Sequence, residues 1–155
     1  MGYQTKKIRV KQLFGGHQIY QEIVNYPPKD VEYIGVSKET KEGNYYENKK
    51  FKEKLGQLLQ KIRVPRMMVM KPSNYDLIHS SRGIIPLQFW NKKPWVIDME
   101  HVHSFFGLNP KLIKNKFWKR FVEKKIASKY CNGVLCHCEA TRQAFFHYLD
   151  CSKFR

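Results

Sequence analysis

Residues 75–107, YDLIHSSRGIIPLQFWNKKPWVIDMEHVHSFFG, decide how the chain is read. Two short apolar runs, residues 76–80 and 95–99, flank a stretch of helix length, residues 84–91. Short apolar runs bounded by polar residues read as buried parallel strands, and the pair with its spacer reads as a β-α-β unit. Each run ends in residues able to do chemistry. His79, Ser80, Ser81 and Arg82 follow the first; Glu100, His101 and His103 follow the second. A third strand end of this kind is Cys136-His137-Cys138-Glu139. Open α/β sheets place ligands at the C-terminal ends of their strands, so these ends mark a candidate site.

The same alternation extends in both directions. Residues 6–14 read as a first strand, with Ile8, Val10 and Phe14 at even spacing. Arg9 and Lys11 face the other way, which argues against a central place in the sheet. Gly15-Gly16 ends this strand, and residues 17–25 form a short helix stopped by Tyr26-Pro27-Pro28. Residues 31–36 are a second strand and 37–48 a polar loop. Phe51, Leu55, Leu58, Leu59 and Ile62 give helical spacing over residues 48–63. Residues 66–71 fit either a helical turn or a short strand. Residues 111–129 predict one long amphipathic helix, Asn132-Gly133 a turn, residues 134–138 the last strand and 139–148 the last helix. This alternation predicts a single α/β domain over residues 1–155: a three-layer Rossmann-like fold with a mostly parallel sheet and helices on both faces.

Composition sets the partners. Lys and Arg number 29 against 13 Asp and Glu, a formal charge of +16. That excess implies a polyanionic partner: nucleic acid, an anionic membrane surface or a phosphorylated ligand. No RNP-type aromatic pattern, helix-turn-helix signature or KH loop supports the first of these. The N-terminus has no apolar signal core, and no run is long enough to span a bilayer. A cytoplasmic location with reduced cysteines is the expectation, with peripheral attachment to the inner face of the membrane as its extension.

Individual motifs narrow the chemistry. Gly15-Gly16 between a strand and a helix fits a plain tight turn or a phosphate contact at a helix N-terminus, and the incomplete glycine pattern argues against a dinucleotide site. Glu100, His101 and His103 lack a zinc-ligand spacing, and an imidazole or carboxylate at a strand end suits orienting or deprotonating a hydroxyl. Cys131, Cys136, Cys138 and Cys151 match no common zinc finger and read as small core residues. No metal and no cofactor is expected. The 111–129 helix has an apolar side and a basic side. It reads as a core-packing helix with a solvated face, as a nucleic-acid stripe, or as a membrane-surface helix using Lys116, Trp118, Lys119, Arg120 and Lys124.

Tyr75-Asp76-Leu77-Ile78-His79-Ser80, residues 95–105 (WVIDMEHVHSF) and residues 124–145 together resemble, in order, three segments of the N-terminal half of GT-B glycosyltransferases of the family-4, group 1 type, archaeal members in particular. Gly15-Gly16 holds the place of that family's glycine loop. The resemblance implies a retaining transferase that moves a sugar from a nucleotide-sugar to an acceptor, in some members held on a lipid, usually without an essential metal. It implies that this is the acceptor-side domain, that a second Rossmann-like domain or a partner chain binds the donor, and that residues 1–155 alone, as a truncated or split enzyme, are catalytically incompetent. Carried over by position, Gly15 and Gly16 face the donor phosphates; Glu100, His101 and His103 lie beside the transferred sugar; His79, Ser80, Arg82 and Glu139 contact the acceptor. The first loop is shorter than the family's, and Cys138-Glu139 stands where Ser-Glu is common. The rival expectation is a basic nucleic-acid-binding α/β module without catalysis.

Overall fold

The computed structural model describes residues 6–13, 18–34 and 64–154. The first two segments contain β1 (Ile8–Leu13), α1 (Gln18–Asn25) and β2 (Val31–Ile34). The third contains β3 (Met67–Val69), β4 (Leu77–Ser80), β5 (Ile85–Leu87), β6 (Trp95–Met99), a 3-10 helix (Val102–Phe106), α2 (Pro110–Ile113), α3 (Lys116–Ile126), β7 (Cys131–Cys136), α4 (Glu139–Tyr148) and a closing 3-10 turn (Cys151–Lys153). The expected loop at 37–48, the helix at 48–63 and the Gly15-Gly16 turn lie outside the described residues.

The fold is Rossmann-like α/β. Five parallel strands form the main sheet in the order β2-β1-β4-β6-β7, flanked by helices. The chain moves from β1 outward to β2, then returns to the other side of β1 and proceeds through β4, β6 and β7. The direction of winding therefore reverses between β1 and β4. At such a reversal the crossovers diverge to opposite faces and leave a crevice at the strands' C-terminal ends. One face of the sheet carries the apolar core. Leu13, Ile78, Trp95, Ile97 and Met99 gather there with Val102, Phe105, Phe106, Leu112, Ile113, Val122, Ile126 and Phe145. Each fully buried side chain of this size contributes about 1.5–3 kcal/mol of transfer free energy.

Four local readings are corrected. The helix expected at residues 84–91 is instead β5, paired in parallel with β3 in a small second sheet (Met67 with Ile85, Val69 with Leu87). The ladder uses the Ile85 amide (to the Arg66 carbonyl, 2.9 Å) and the Leu87 carbonyl (from the Met70 amide, 2.9 Å), so Pro86 between them turns its donorless nitrogen away from β3 and is tolerated; the pairing also makes Met67–Val69, within residues 66–71, a strand. The single helix expected at 111–129 is two, because Asn115 turns its side chain back to accept from the amides of Phe117 (3.0 Å) and Trp118 (3.2 Å) and so starts α3 afresh. Asn132-Gly133 is no turn. Trp95 pairs with Cys131 and Val96 with Gly133, which makes Asn132 the extra residue of a bulge inside β7. Finally, β1 is an interior strand despite Arg9, whose backbone amide (2.9 Å) and Nε (3.5 Å) both reach the carboxylate of Asp76.

Candidate functional site at the strand ends

Strand register assembles a polar row on one face of the sheet. Gln12 of β1 is paired with His79 of β4, and His79 with Val96 of β6. Asp98 is two residues beyond Val96 and so shares that face; it is paired with Leu135 of β7, and His137 follows two residues later. Tyr33 of β2 is paired with Val10, two residues before Gln12. Tyr33, Gln12, His79, Asp98 and His137 thus come from or follow all five strands and lie on one face toward the C-terminal edge.

Asp98 is the hub of this row. It is 4 % exposed in a strand that is otherwise apolar. Its Oδ2 lies 2.9 Å from His79 Nε2, and its Oδ1 accepts from the Arg82 amide at 3.2 Å and lies 3.5 Å from His137 Nε2. The other ring nitrogen of His79, Nδ1, lies 3.3 Å from the Tyr33 hydroxyl. The groups therefore form a continuous chain: Tyr33, His79, Asp98, His137. His79 is 8 % exposed, whereas the His137 side chain is open to solvent on one side. Burial and the negative charge of Asp98 both raise the Tyr33 phenol above its ordinary pKa, so it stays a neutral donor.

The turn after β4 is shaped around that carboxylate. Arg82 and Gly83 take successive left-handed conformations (φ 58° and 71°), which aim the Arg82 amide at the Asp98 side chain and the Gly83 amide at the Asp98 carbonyl (3.1 Å). Gly83 is required twice over, since a Cβ there would stand 2.7 Å from the Ser104 carbonyl carbon and 2.8 Å from the Phe105 nitrogen. The Ser81 amide donates to Leu13 at 3.3 Å, tying the end of β4 to the end of β1 across the reversal. Among the described residues Gln12, 5 % exposed, has no partner for either end of its carboxamide, and the buried Ser81 hydroxyl has none either. Buried polar groups are rarely left so. The Arg82 guanidinium is near enough to Arg66 to join burial in lowering the Arg66 pKa, so positive charge gathers beside this turn.

The residues singled out from sequence separate into groups. His79 and Arg82 meet at Asp98. Ser80 faces the opposite way, fully buried, with its hydroxyl donated to the Ile84 carbonyl, a structural use in the turn. His101 is exposed and precedes the 3-10 helix, where its carbonyl accepts from Ser104 (2.9 Å). His103 sits within that helix, 5.5 Å in ring-centre distance from Tyr148, and its buried Nδ1 has no partner among the described residues. The Glu100 carbonyl accepts from the Thr141 hydroxyl, which also contacts Cys138 Sγ at 3.3 Å. This contact, with the position of Cys138 before α4, lowers the Cys138 thiol pKa. Glu139 is exposed and held by Arg142 (2.7 and 2.8 Å) and Gln143 (3.2 Å). Gly15 and Gly16 come after β1 in the sequence, separated from Leu13 by one residue, and lie outside the described residues. On α3, Lys116, Arg120 and Lys124 are exposed, but Trp118 is half-buried against Phe121 (5.8 Å), and Lys119 lies 3.9 Å from the buried Glu123.

Sequence reading missed the hub itself. Asp98, Gln12, Tyr33 and Arg66 are not singled out by the sequence, and His137 stands out there only as part of the third strand end, Cys136-His137-Cys138-Glu139. An acid inside a five-residue apolar strand was the available signal for Asp98. Among the described residues no group of three His, Cys, Asp or Glu side chains is arranged to hold a metal, and no helix is long and apolar enough to cross a membrane. No family model, curated protein or solved structure matches the chain.

Proposed function

We propose that this domain is the acceptor-binding side of a retaining glycosyltransferase of GT-B architecture, taking a sugar from a nucleotide-sugar donor to a hydroxyl acceptor. One observation carries the reading: a buried carboxylate, Asp98, holds an imidazole on each side at the strand ends beside the winding reversal. The Asp98 carboxylate lies 3.5 Å from His137 Nε2, and the solvent-facing side of that ring can accept a hydrogen bond from an acceptor hydroxyl or take up its proton. The Gln12 carboxamide lies buried in the same row with neither end partnered among the described residues, and its N–H donors and carbonyl acceptor are the kind that vicinal hydroxyls of a sugar would meet once that end of the sheet opens to a ligand.

Glycosyl transfer builds positive charge on the sugar and negative charge on the departing diphosphate. Arg82, with Arg66 beside it, provides positive charge at the turn for the second of these. Glu100, His101 and His103 follow the same strand as Asp98, and in this reading they border the transferred sugar. Gly15 and Gly16 are the donor-phosphate contacts of the reading.

Retention on an array of immobilised saccharides tests the proposal. The chain is expected to bind a subset of glycans, and Gln12→Leu and Asp98→Asn to lose that binding while remaining folded by circular dichroism. Failure to retain any glycan, together with tight salt-sensitive retention of single-stranded nucleic acid, would overturn it in favour of a basic nucleic-acid-binding module.

A further inference from the structure

The opposite edge of the sheet, where the strands begin, presents a different surface. Residues 88–93 form a loop closed at its base by one side chain: Gln88 Oε1 accepts from the Lys93 amide (2.6 Å) and Gln88 Nε2 donates to the Lys93 carbonyl (2.9 Å). This double clip leaves Phe89 and Trp90 at the tip, 61 % and 63 % exposed, packed edge to face on each other at 5.7 Å rather than folded onto the core. Val69, paired with Leu87 just before the loop, is exposed beside them.

Cations surround the tip. Lys92 and Lys129 both approach the Tyr130 ring (5.6 and 5.4 Å from its centre), at the start of β6. Lys93 is in the loop, and Lys71 follows the Met70 amide bonded to Leu87 (2.9 Å). No Asp or Glu occurs in residues 69–75, 87–95 or 126–131, the stretches that lead into the starts of β4, β6 and β7. Asp76, the first acid in sequence after residue 64, is engaged by Arg9.

We infer that this edge docks on an anionic lipid bilayer, with Phe89 and Trp90 inserted at the headgroup level and the lysines against lipid phosphates. Amphipathic aromatic rings favour that depth, and each nearby lysine adds electrostatic attraction. A protruding tip suits insertion into a deformable interface; a nucleic-acid site would set its stacking rings in a groove that tracks a backbone. The inference rests on the loop alone and is independent of the glycosyltransferase reading. It also differs from a membrane contact through the basic side of α3. Docked this way, the polar row at the far end of the strands stands roughly 15–20 Å above the surface, a five-residue strand length.

The test offers the chain three partners: phosphatidylcholine vesicles, the same vesicles with phosphatidylserine, and a single-stranded oligonucleotide. The wild type is expected to sediment only with the phosphatidylserine vesicles. Phe89→Ser/Trp90→Ser and Lys92→Glu/Lys93→Glu are each expected to weaken this at least about tenfold, with unchanged circular dichroism because the side chains are at the surface. In Trp118→Phe protein, lipid carrying bromine on its chains should quench Trp90 fluorescence, Trp95 being buried. The inference fails if the tip variants sediment like the wild type or if Trp90 is not quenched. It also fails if Lys116→Glu/Arg120→Glu abolishes binding that the tip variants keep, or if the oligonucleotide binds through these residues while lipid is ignored.

Discussion

Replacing Asp98 separates a structural carboxylate from a replaceable one. In Asp98→Ala the Arg82 amide and His79 Nε2 both lose their acceptor inside the protein. Each orphaned buried group costs about 1–3 kcal/mol, and the two together with the space left by the side chain cost about 3–5 kcal/mol. Asp98→Asn keeps an oxygen for Arg82 and turns an N–H₂ toward His79. The imidazole then accepts at Nε2 and donates from Nδ1 to the Tyr33 oxygen, so the chain of hydrogen bonds survives with its direction reversed. That change should cost only about 1 kcal/mol. Urea unfolding followed by circular dichroism reads both. With a slope of about 2 kcal/mol per molar, the alanine variant should lose about 1.5–2.5 M from its midpoint and the asparagine variant about 0.5 M. An alanine variant within about 0.5 kcal/mol of the wild type, or two variants equally damaged, would refute the assignment of Asp98 as the hub.

Other positions give independent checks. Gly83→Ala forces a side chain into a left-handed position against the Ser104 and Phe105 backbone and should destabilise by about 2–4 kcal/mol in the same urea assay; a loss below about 1 kcal/mol would contradict the close approach. Under limiting iodoacetamide, peptide mass mapping should find Cys138 modified first and Cys131 last. Cys138 is exposed with a lowered thiol pKa, whereas burial pushes Cys131 up to about 11; the reverse order would count against both placements. The Arg9 backbone amide, followed by the Arg9 side chain, holds the Asp76 carboxyl below its ordinary pKa. Its contribution is therefore present above the unfolded-state pKa and lost as pH falls through the folded one. Asp76→Asn should flatten the acid limb of the stability profile, and an unchanged limb would show the pairing to be inert.

The five main-sheet strands were legible because parallel strands buried on both faces read as apolar runs. Ile78, Ile97 and Met99 carry that signal and are fully buried. Where sequence reading goes astray the cause is a distant partner or a single residue: the pairing of residues 85–87 with β3, Asn115 capping in mid-pattern, Asn132 bulging within a strand. The charge on Arg9 did not exclude β1 from the interior, because Asp76 on the adjoining β4 approach supplies a partner that spacing alone does not reveal. The site was half legible. Histidines at strand ends stood out by position, but their meeting point is a carboxylate read as part of an apolar run. Register across separate strands, which brings Gln12 beside His79 and Asp98 within reach of His137, is a three-dimensional fact with no local signature.

Mapping where a sugar binds tests the central proposal most directly. Amide chemical shifts of the isotopically labelled chain would be followed while a glycan retained on the array is titrated in. The account predicts perturbations clustered at Gln12, Leu13, residues 79–83, Asp98, Glu100 and His137, and their loss in Asp98→Asn. Shifts confined to the lysine-rich edge around Lys71 and residues 89–93, or a saturating glycan that leaves the strand ends untouched, would contradict it.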